Sequence, residues 1–366
     1  LNGVSHIGKN AFSGCYNLTN LSLPFVGERA DGTGYTHFGY IFGAEDYTQN
    51  TYSVLSSLQN VTITGGASID AYAFSGCSSL KRLTIPDDVI SIGFGAFSGC
   101  NGLERIVIPF IGATRDGTDN LHFGYLFGAE TAEANGNHVP AALTTVVVSD
   151  GIRIGAYAFS GCENLTGIHL SDGLTEIGDG AFDQCDSLAD ISVPDSVINI
   201  GNGVFDETAY FADEENWDNN TLYIGSHLIK VRADAIASGT YTVRNGTITV
   251  AGGAFAGLDT LSEVVIPDSV VSVGASAFAG CEQLLKIGFG SGLRRIGDGA
   301  FRQCVRLSEI SVPTGTTHIG AYAFANCTAL SRIYMPDSVT NIGKDAFLQS
   351  AYFRNEMNRE NGTLYI

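Results

Sequence analysis

The chain has 366 residues, of which 44% are hydrophobic and 16% charged, so it can build an extensive core and is not the composition of a disordered polypeptide. Nineteen Lys and Arg stand against 38 Asp and Glu, and the net charge of −19 argues against binding to nucleic acid or to anionic membrane, both of which rely on basic residues. No apolar run approaches the ~18 residues that span a bilayer, and the opening LNGVSHIGKN lacks the apolar core of a signal peptide.

From the N-terminus onward an Ala-Phe or Val-Phe dipeptide recurs, placing Phe at 12, 74, 97, 159, 182, 205, 255, 278, 301, 324 and 347. The spacing is 23 residues, broken by two gaps of 62 and one of 50. The cleanest copies, LSEVVIPDSVVSVGASAFAGCEQ and LSRIYMPDSVTNIGKDAF, read L-x-x-[IV]-x-[aliphatic]-P-D-S-V-x-x-[IV]-G-x-x-A-F-x-x-C. A period of this length with fixed aliphatic positions predicts a solenoid, in which each coil buries its apolar side against its neighbours.

Each part of the unit has its own physical reading. Val264 and Ile266 alternate as the inward residues of a strand, and Pro267 ends that strand because it has no N–H for the ladder. Asp268-Ser269 is turn chemistry, and the Gly of [IV]-G suits a tight or positive-φ corner. A-F-x-x-C is too short for a stable helix, so it predicts one helical or 3₁₀ turn whose Phe plugs the coil. Eleven such rings, each worth roughly 1.5–3 kcal/mol when buried, are expected to form a continuous aromatic spine.

Three segments interrupt the period. The first, 24–57, contains PFVGERADGTGYTHFGYIFGAE, and the second, 109–142, contains PFIGATRDGTDNLHFGYLFGAE; 14 of these 22 positions are identical at an offset of 85 residues. Each insert is read as one oversized coil, with the two copies on the same edge and two strands between them. The third, 206–250, carries two strand-like pieces, 221–231 and 240–250, and is read as two atypical coils. Its AYFADEENWDNNTLYI returns as AYFRNEMNRENGTLYI at 351–366, which suggests a truncated module and a fragment of a longer protein.

All eight Cys lie three residues after a repeat Phe. One shared register is not the varied spacing of a disulfide framework, so the thiols are expected to be buried and free. No CxxC occurs and His is not interleaved with Cys at ligand spacing, which leaves no zinc motif. Asp31, His37 and Glu45, with their copies Asp116, His122 and Glu130, are the residue types of acid–base or metal chemistry. Turn formation by DGT and aromatic packing by HFGY[IL]FGA account for them better, with Asp31 and His37 serving local backbone hydrogen bonds and the aromatic rings packing on the solenoid edge. No catalytic, cofactor-binding or metal residue is assigned, and no cofactor.

The IPDSV, IG, AF and GC elements of the 23-residue unit resemble the bacterial BspA-like leucine-rich repeat, also called the Treponema-type repeat, over residues 1–205 and 251–347. The resemblance implies a right-handed leucine-rich-repeat solenoid, mainly β with short helical or 3₁₀ turns. Applied to this chain it gives a single domain over 1–366, with about 13 coils and the three irregular inserts. It also implies secreted or cell-surface bacterial proteins that bind host matrix proteins, host cells or other bacteria, with no catalytic residues. The export signal and anchor then lie outside this fragment, which itself inserts into no membrane and binds no nucleic acid.

Two functions follow from that reading. One is a binding module for an unknown protein or glycoprotein ligand; the other is a spacer that displays other domains. Variation at the outward strand positions favours binding, and the candidate surface comprises Asn20, Arg82, Arg105, His169, Asp190, Glu263, Lys286, Glu309, Arg332 and Tyr334. Trp217, the one tryptophan, joins them as either a loop anchor or a contact residue.

Overall fold

Stacking of short parallel strands organises the computed structural model, which describes residues 3–236, 238–355, 359–360 and 363–364. The chain divides into two compact units, Leu1–Pro194 with Phe205–Ala212, and Asp195–Val204 with Asp213–Ile366.

In the first unit seven strands form one parallel sheet in chain order: β1 (Asn20–Leu23), β2 (Asn60–Ile63), β3 (Arg82–Thr84), β4 (Arg105–Ile108), β5 (Thr145–Val148), β6 (Gly167–Leu170) and β7 (Asp190–Ser192). Alternation does the work expected of it. Val61, Leu83, Ile106, Val146 and Ile168 face inward and are buried, while their neighbours on either side face out. β2 and β3 lie between β1 and β4, so the two duplicated inserts, each following one of those outer strands, are separated by two strands as expected.

The segment 206–250, whose residues 213–250 belong to the second unit, departs from its sequence reading. Residues 221–231 are not one strand. β8 (Trp217–Asp218), β9 (Thr221–Ile224) and β10 (His227–Val231) form an antiparallel arrangement that turns at Gly225-Ser226. Regular spacing resumes at β11 (Thr240–Thr242), which stands in parallel register with β12 (Glu263–Val265). One hairpin and one ordinary turn therefore replace two atypical coils, and the structure has about 12 turns where the spacing suggested about 13. β13 (Lys286–Gly288), β14 (Glu309–Ser311) and β15 (Arg332–Tyr334) complete this face.

The module at 351–366 repeats the local structure of its first copy. Ala351–Arg354 is helical like Ala209–Ala212, and Arg359–Glu360 pairs antiparallel with Thr363–Leu364, the same pairing as Asp218 with Thr221 and Trp217 with Leu222 142 residues earlier. Residues 356–358, 361–362 and 365–366 of that module lie outside the described residues.

The core is a column of rings. In the second unit Phe255, Phe278, Phe301, Phe324 and Phe347 stack at centroid separations of 4.6, 5.0, 5.2 and 5.4 Å, nearly parallel. In the first unit a column of rings runs through the inserts. Phe38 stacks on Phe74 and Phe123 contacts Phe159, while Phe42 and Phe127 bridge to Phe12 and Phe97. The insert phenylalanines thus lie in the spine and not on the solenoid edge, because each oversized coil contributes two rings through a 3₁₀ turn, Phe38–Phe42 or Phe123–Phe127. Phe12 is the exception among the repeat rings. It is half-buried, since it belongs to the first turn and is covered from one side.

The corner glycine that recurs with the period is explained by a close approach. A Cβ at Gly93 would lie 2.2 Å from the Ala71 nitrogen, and one at Gly297 would lie 2.5 Å from that of Ala275. The positive φ of the corner falls two residues later, at positions such as Ser276 (53°) and Tyr322 (56°). Of the two reasons a glycine suits this corner, tightness is the one that operates.

Candidate interaction surface

The parallel register lines the outward side chains into columns. In the first unit one column runs Asn20, Asn60, Arg82, Arg105, Thr145, Gly167, Asp190. Four of the candidate residues, Asn20, Arg82, Arg105 and Asp190, thus share a line. His169 lies in the neighbouring column, opposite Ser192 and Val147, and reaches Asp190 at 3.5 Å. Asn60 donates to the Asn20 side-chain oxygen at 2.7 Å.

In the second unit the equivalent column runs Thr240, Glu263, Lys286, with Glu309 opposite Arg332 in the next pair of strands. Lys286 donates to Glu263 at 2.7 Å and Arg332 to Glu309 at 2.6 Å. Tyr334 is 54% exposed in the adjoining column. Trp217 is placed differently. It is 9% exposed, the Arg232 guanidinium lies 3.6 Å from its ring centroid, and Arg232 is held in turn by Glu214 at 2.7 Å. That is the geometry of a loop anchor.

The duplicated inserts prove to be bolted by a network that includes a residue outside the quoted repeat. Asn50 is fully buried; its side-chain oxygen accepts from the Gly39 N–H at 3.0 Å, and its amide donates to the Ala73 carbonyl at 3.1 Å. With the oxygen so assigned, the His37 Nδ1–H donates to it at 3.1 Å. Asn135 does the same for His122, Gly124 and Ala158, at 3.0, 2.9 and 3.0 Å. The histidines therefore join a side-chain network, because each faces a buried asparagine 13 residues on. Extending the 85-residue comparison past Glu45 aligns Asn50 with Asn135, which is the signal that would have revealed it.

Asp31 does serve the local backbone, accepting from Thr33 N–H at 2.9 Å and the Thr33 hydroxyl at 2.6 Å. Those bonds hold its carboxyl below its ordinary range. Asp116 is held low in the same way by the Thr114 and Thr118 hydroxyls and the Thr118 N–H. Glu45 pairs with Lys9, and Glu130 is exposed.

The thiols form a structural ladder. All eight are free and seven are buried, Cys15 of the first turn being exposed. Cys100, Cys185, Cys281, Cys304 and Cys327 each donate to the carbonyl of the Phe one coil earlier, at 3.1–3.2 Å. Burial pushes the Cys100, Cys185, Cys281 and Cys327 thiols up to about 12, and Cys77, Cys162 and Cys304 also well above the ordinary value. Buried and raised in this way, these thiols are protonated at neutral pH and are poor nucleophiles. Among the described residues no three His, Cys, Asp or Glu converge to hold a metal ion. Two surface grooves, one against Val265 and Phe289 and one between Ile90 and Ile152, contain no His or Cys.

Stacked strands of L-x-x-[IV]-x-[aliphatic] sequence, a buried ring per turn and outward columns define a leucine-rich-repeat β-solenoid. The family model for the BspA type leucine rich repeat region matches residues 1–29, 46–115, 140–231 and 239–355, in six copies, and the chain belongs to that family. It is similar to a leucine rich cell surface protein from Faecalibacterium prausnitzii A2-165, with 28% identity, 91% of this chain and 86% of that one covered, and a TM-score of 0.37. A leucine-rich repeat protein from Bacteroides ovatus ATCC 8483 shares 23% identity over 99% of this chain and 87% of its own, with a TM-score of 0.30. The T. pallidum leucine rich repeat protein shares 22% over 56% and 75%, with a TM-score of 0.27. No curated protein matches the chain. No helix among the described residues is long and apolar enough to cross a membrane.

Proposed function

We propose that the chain is a non-catalytic recognition module, displayed on or secreted from a bacterial cell, that binds a protein or glycoprotein of a host or neighbouring cell through its outward strand columns. The observation that carries this reading is the contrast between the two sides of each strand. Inward positions of the first unit's seven strands are uniformly Leu, Ile or Val, whereas its outward column passes from amide to guanidinium to hydroxyl to carboxylate within seven strands. Packing dictates the inward set, and nothing in the fold requires the outward variety. Repeat proteins use such surfaces for protein recognition.

A spacer is the second reading, and it has no use for that variety. Immobilised chain exposed to host matrix and cell-surface extracts is expected to retain a defined ligand, and variants at outward positions are expected to lose it while inward-preserving controls keep it. Retention of nothing above a scrambled-column control, with the fold intact, would favour the spacer. Turnover of a peptide, ester or glycoside by purified protein would overturn the non-catalytic assignment.

A further inference from the structure

The two units treat charge in their outward columns in opposite ways. In the second, carboxylates and cations alternate and pair, Glu263 with Lys286 and Glu309 with Arg332. In the first, Arg82 on β3 stands directly opposite Arg105 on β4. Adjacent strands are ~4.8 Å apart, and like charges directly opposite one another destabilise a sheet. Neither guanidinium has an ion-pair or side-chain hydrogen-bond partner among the described residues. The carboxylates nearby are engaged elsewhere: Glu104 pairs with Lys81 at 3.0 Å, and Asp190 is separated by Thr145 and Gly167 and faces His169. In a chain of net charge −19, two neighbouring cations left without a counter-ion mark a place prepared for an external anion.

We infer that Arg82 and Arg105 form a clamp for the carboxylates of an extended acidic and aliphatic protein segment, an inference that rests on the recognition reading above and gives it a location. A guanidinium receives a carboxylate through two parallel N–H bonds, and two of them one strand apart accept side chains from one bound segment. Beside them in the adjoining column Val107 and Val147 face each other, half-buried, and offer an apolar contact. No Phe, Tyr or Trp occupies an outward position of β1–β7, so this face lacks the ring platforms on which sugars stack. Charge complementarity and the apolar pair together favour a peptide.

The test is fluorescence anisotropy with a short labelled peptide alternating Glu and Val, the same peptide with Gln for Glu, and a sulfated oligosaccharide. The Glu peptide is expected to bind, more weakly as salt rises, and the Arg82→Gln/Arg105→Gln variant to lose about tenfold or more in affinity. Lys at both positions should restore part of it, because the charge returns without the planar fork. Arg153→Gln, at a cation paired with Glu176 outside the outward columns, should leave the affinity for the Glu peptide unchanged. The double Gln variant should melt no lower than the parent, since it removes a repulsion. Equal or absent binding of the Glu and Gln peptides, preference for the oligosaccharide, an unchanged affinity in the double Gln variant, or a lowered melting temperature would each overturn the clamp. If the clamp fails while the chain still retains a ligand from extracts, the recognition reading stands with its site elsewhere; if it retains none, that reading falls as well.

Discussion

Replacing Phe301 by Ala tests whether the ring column is the core. Phe301 is fully buried between Phe278 at 5.0 Å and Phe324 at 5.2 Å, each inclined by 5°, and meets the edge of Phe289 at 5.7 Å. A buried Phe→Ala change costs roughly 3–5 kcal/mol, and each aromatic pair carries about 0.5–1.5 kcal/mol beyond the area it buries. Losing two stacked partners and one edge contact puts this site at the upper end, about 4–5 kcal/mol. The void cannot close by sliding the turns together, because Phe301 N–H is bonded to the Ala323 carbonyl and Phe278 N–H to that of Ala300, both at 2.7 Å. Since a repeat protein is held by its intrinsic turn stabilities and nearest-neighbour interfaces, the loss should appear at two interfaces. Urea denaturation gives the magnitude, and amide exchange gives the place: the turns of Phe278 and Phe324 should lose protection while those of Phe74 and Phe97 keep it. Phe12→Ala, at a half-buried ring with one aromatic neighbour at 6.1 Å, should cost only about 1–2 kcal/mol. A cost below ~1 kcal/mol at Phe301, or protection lost evenly along the chain, would refute the reasoning.

Asn50→Ala leaves the Gly39 N–H, the Ala73 carbonyl and the His37 Nδ1–H without their partner, and should cost about 3 kcal/mol by chemical denaturation, with Asn135→Ala matching it in the second copy. Burial, the largest influence on His37, keeps its imidazole below the ordinary 6.5 despite the Asn50 bond. The unfolded state therefore takes up a proton first, so stability should fall as pH drops below about 6.5, and His37→Gln should flatten that part of the profile. In native protein at pH 8 a thiol reagent should modify Cys15 quickly and the buried thiols very slowly, because a thiol held at about 12 is ionised to roughly one part in ten thousand. After denaturation without reductant all eight should react, and a smaller number would mean that some had oxidised.

What the sequence determined by itself was what recurs with the 23-residue period. Each turn meets the same surroundings, its neighbours above and below, so the same physical demand is written every 23 residues: alternating aliphatic positions, a ring at each Phe, a small thiol three residues on, a glycine at the corner. Such one-dimensional order is legible because the determinants of a contact are local or lie one period away. The tertiary structure decided what depends on pairing across unequal coils. Only the packed chain shows that Phe38 and Phe42 enter the spine, that Asn50 reaches back to His37 and out to Ala73, and that residues 221–231 fold upon themselves around Gly225. Periodicity placed a glycine at the corner without distinguishing close approach from a positive φ, since both exclude a Cβ. The outward residues of the ordinary coils were visible in the sequence as a varied set aligned by the 23-residue period, but which neighbours pair was not. The ordinary 23-residue spacing brings Arg82 opposite Arg105 and leaves both without an ion-pair partner among the described residues, whereas in the second unit the same spacing brings Lys286 to Glu263. Opposite outcomes from equivalent positions arise because an outward side chain answers to the strand beside it, and backbone hydrogen bonding chooses that strand.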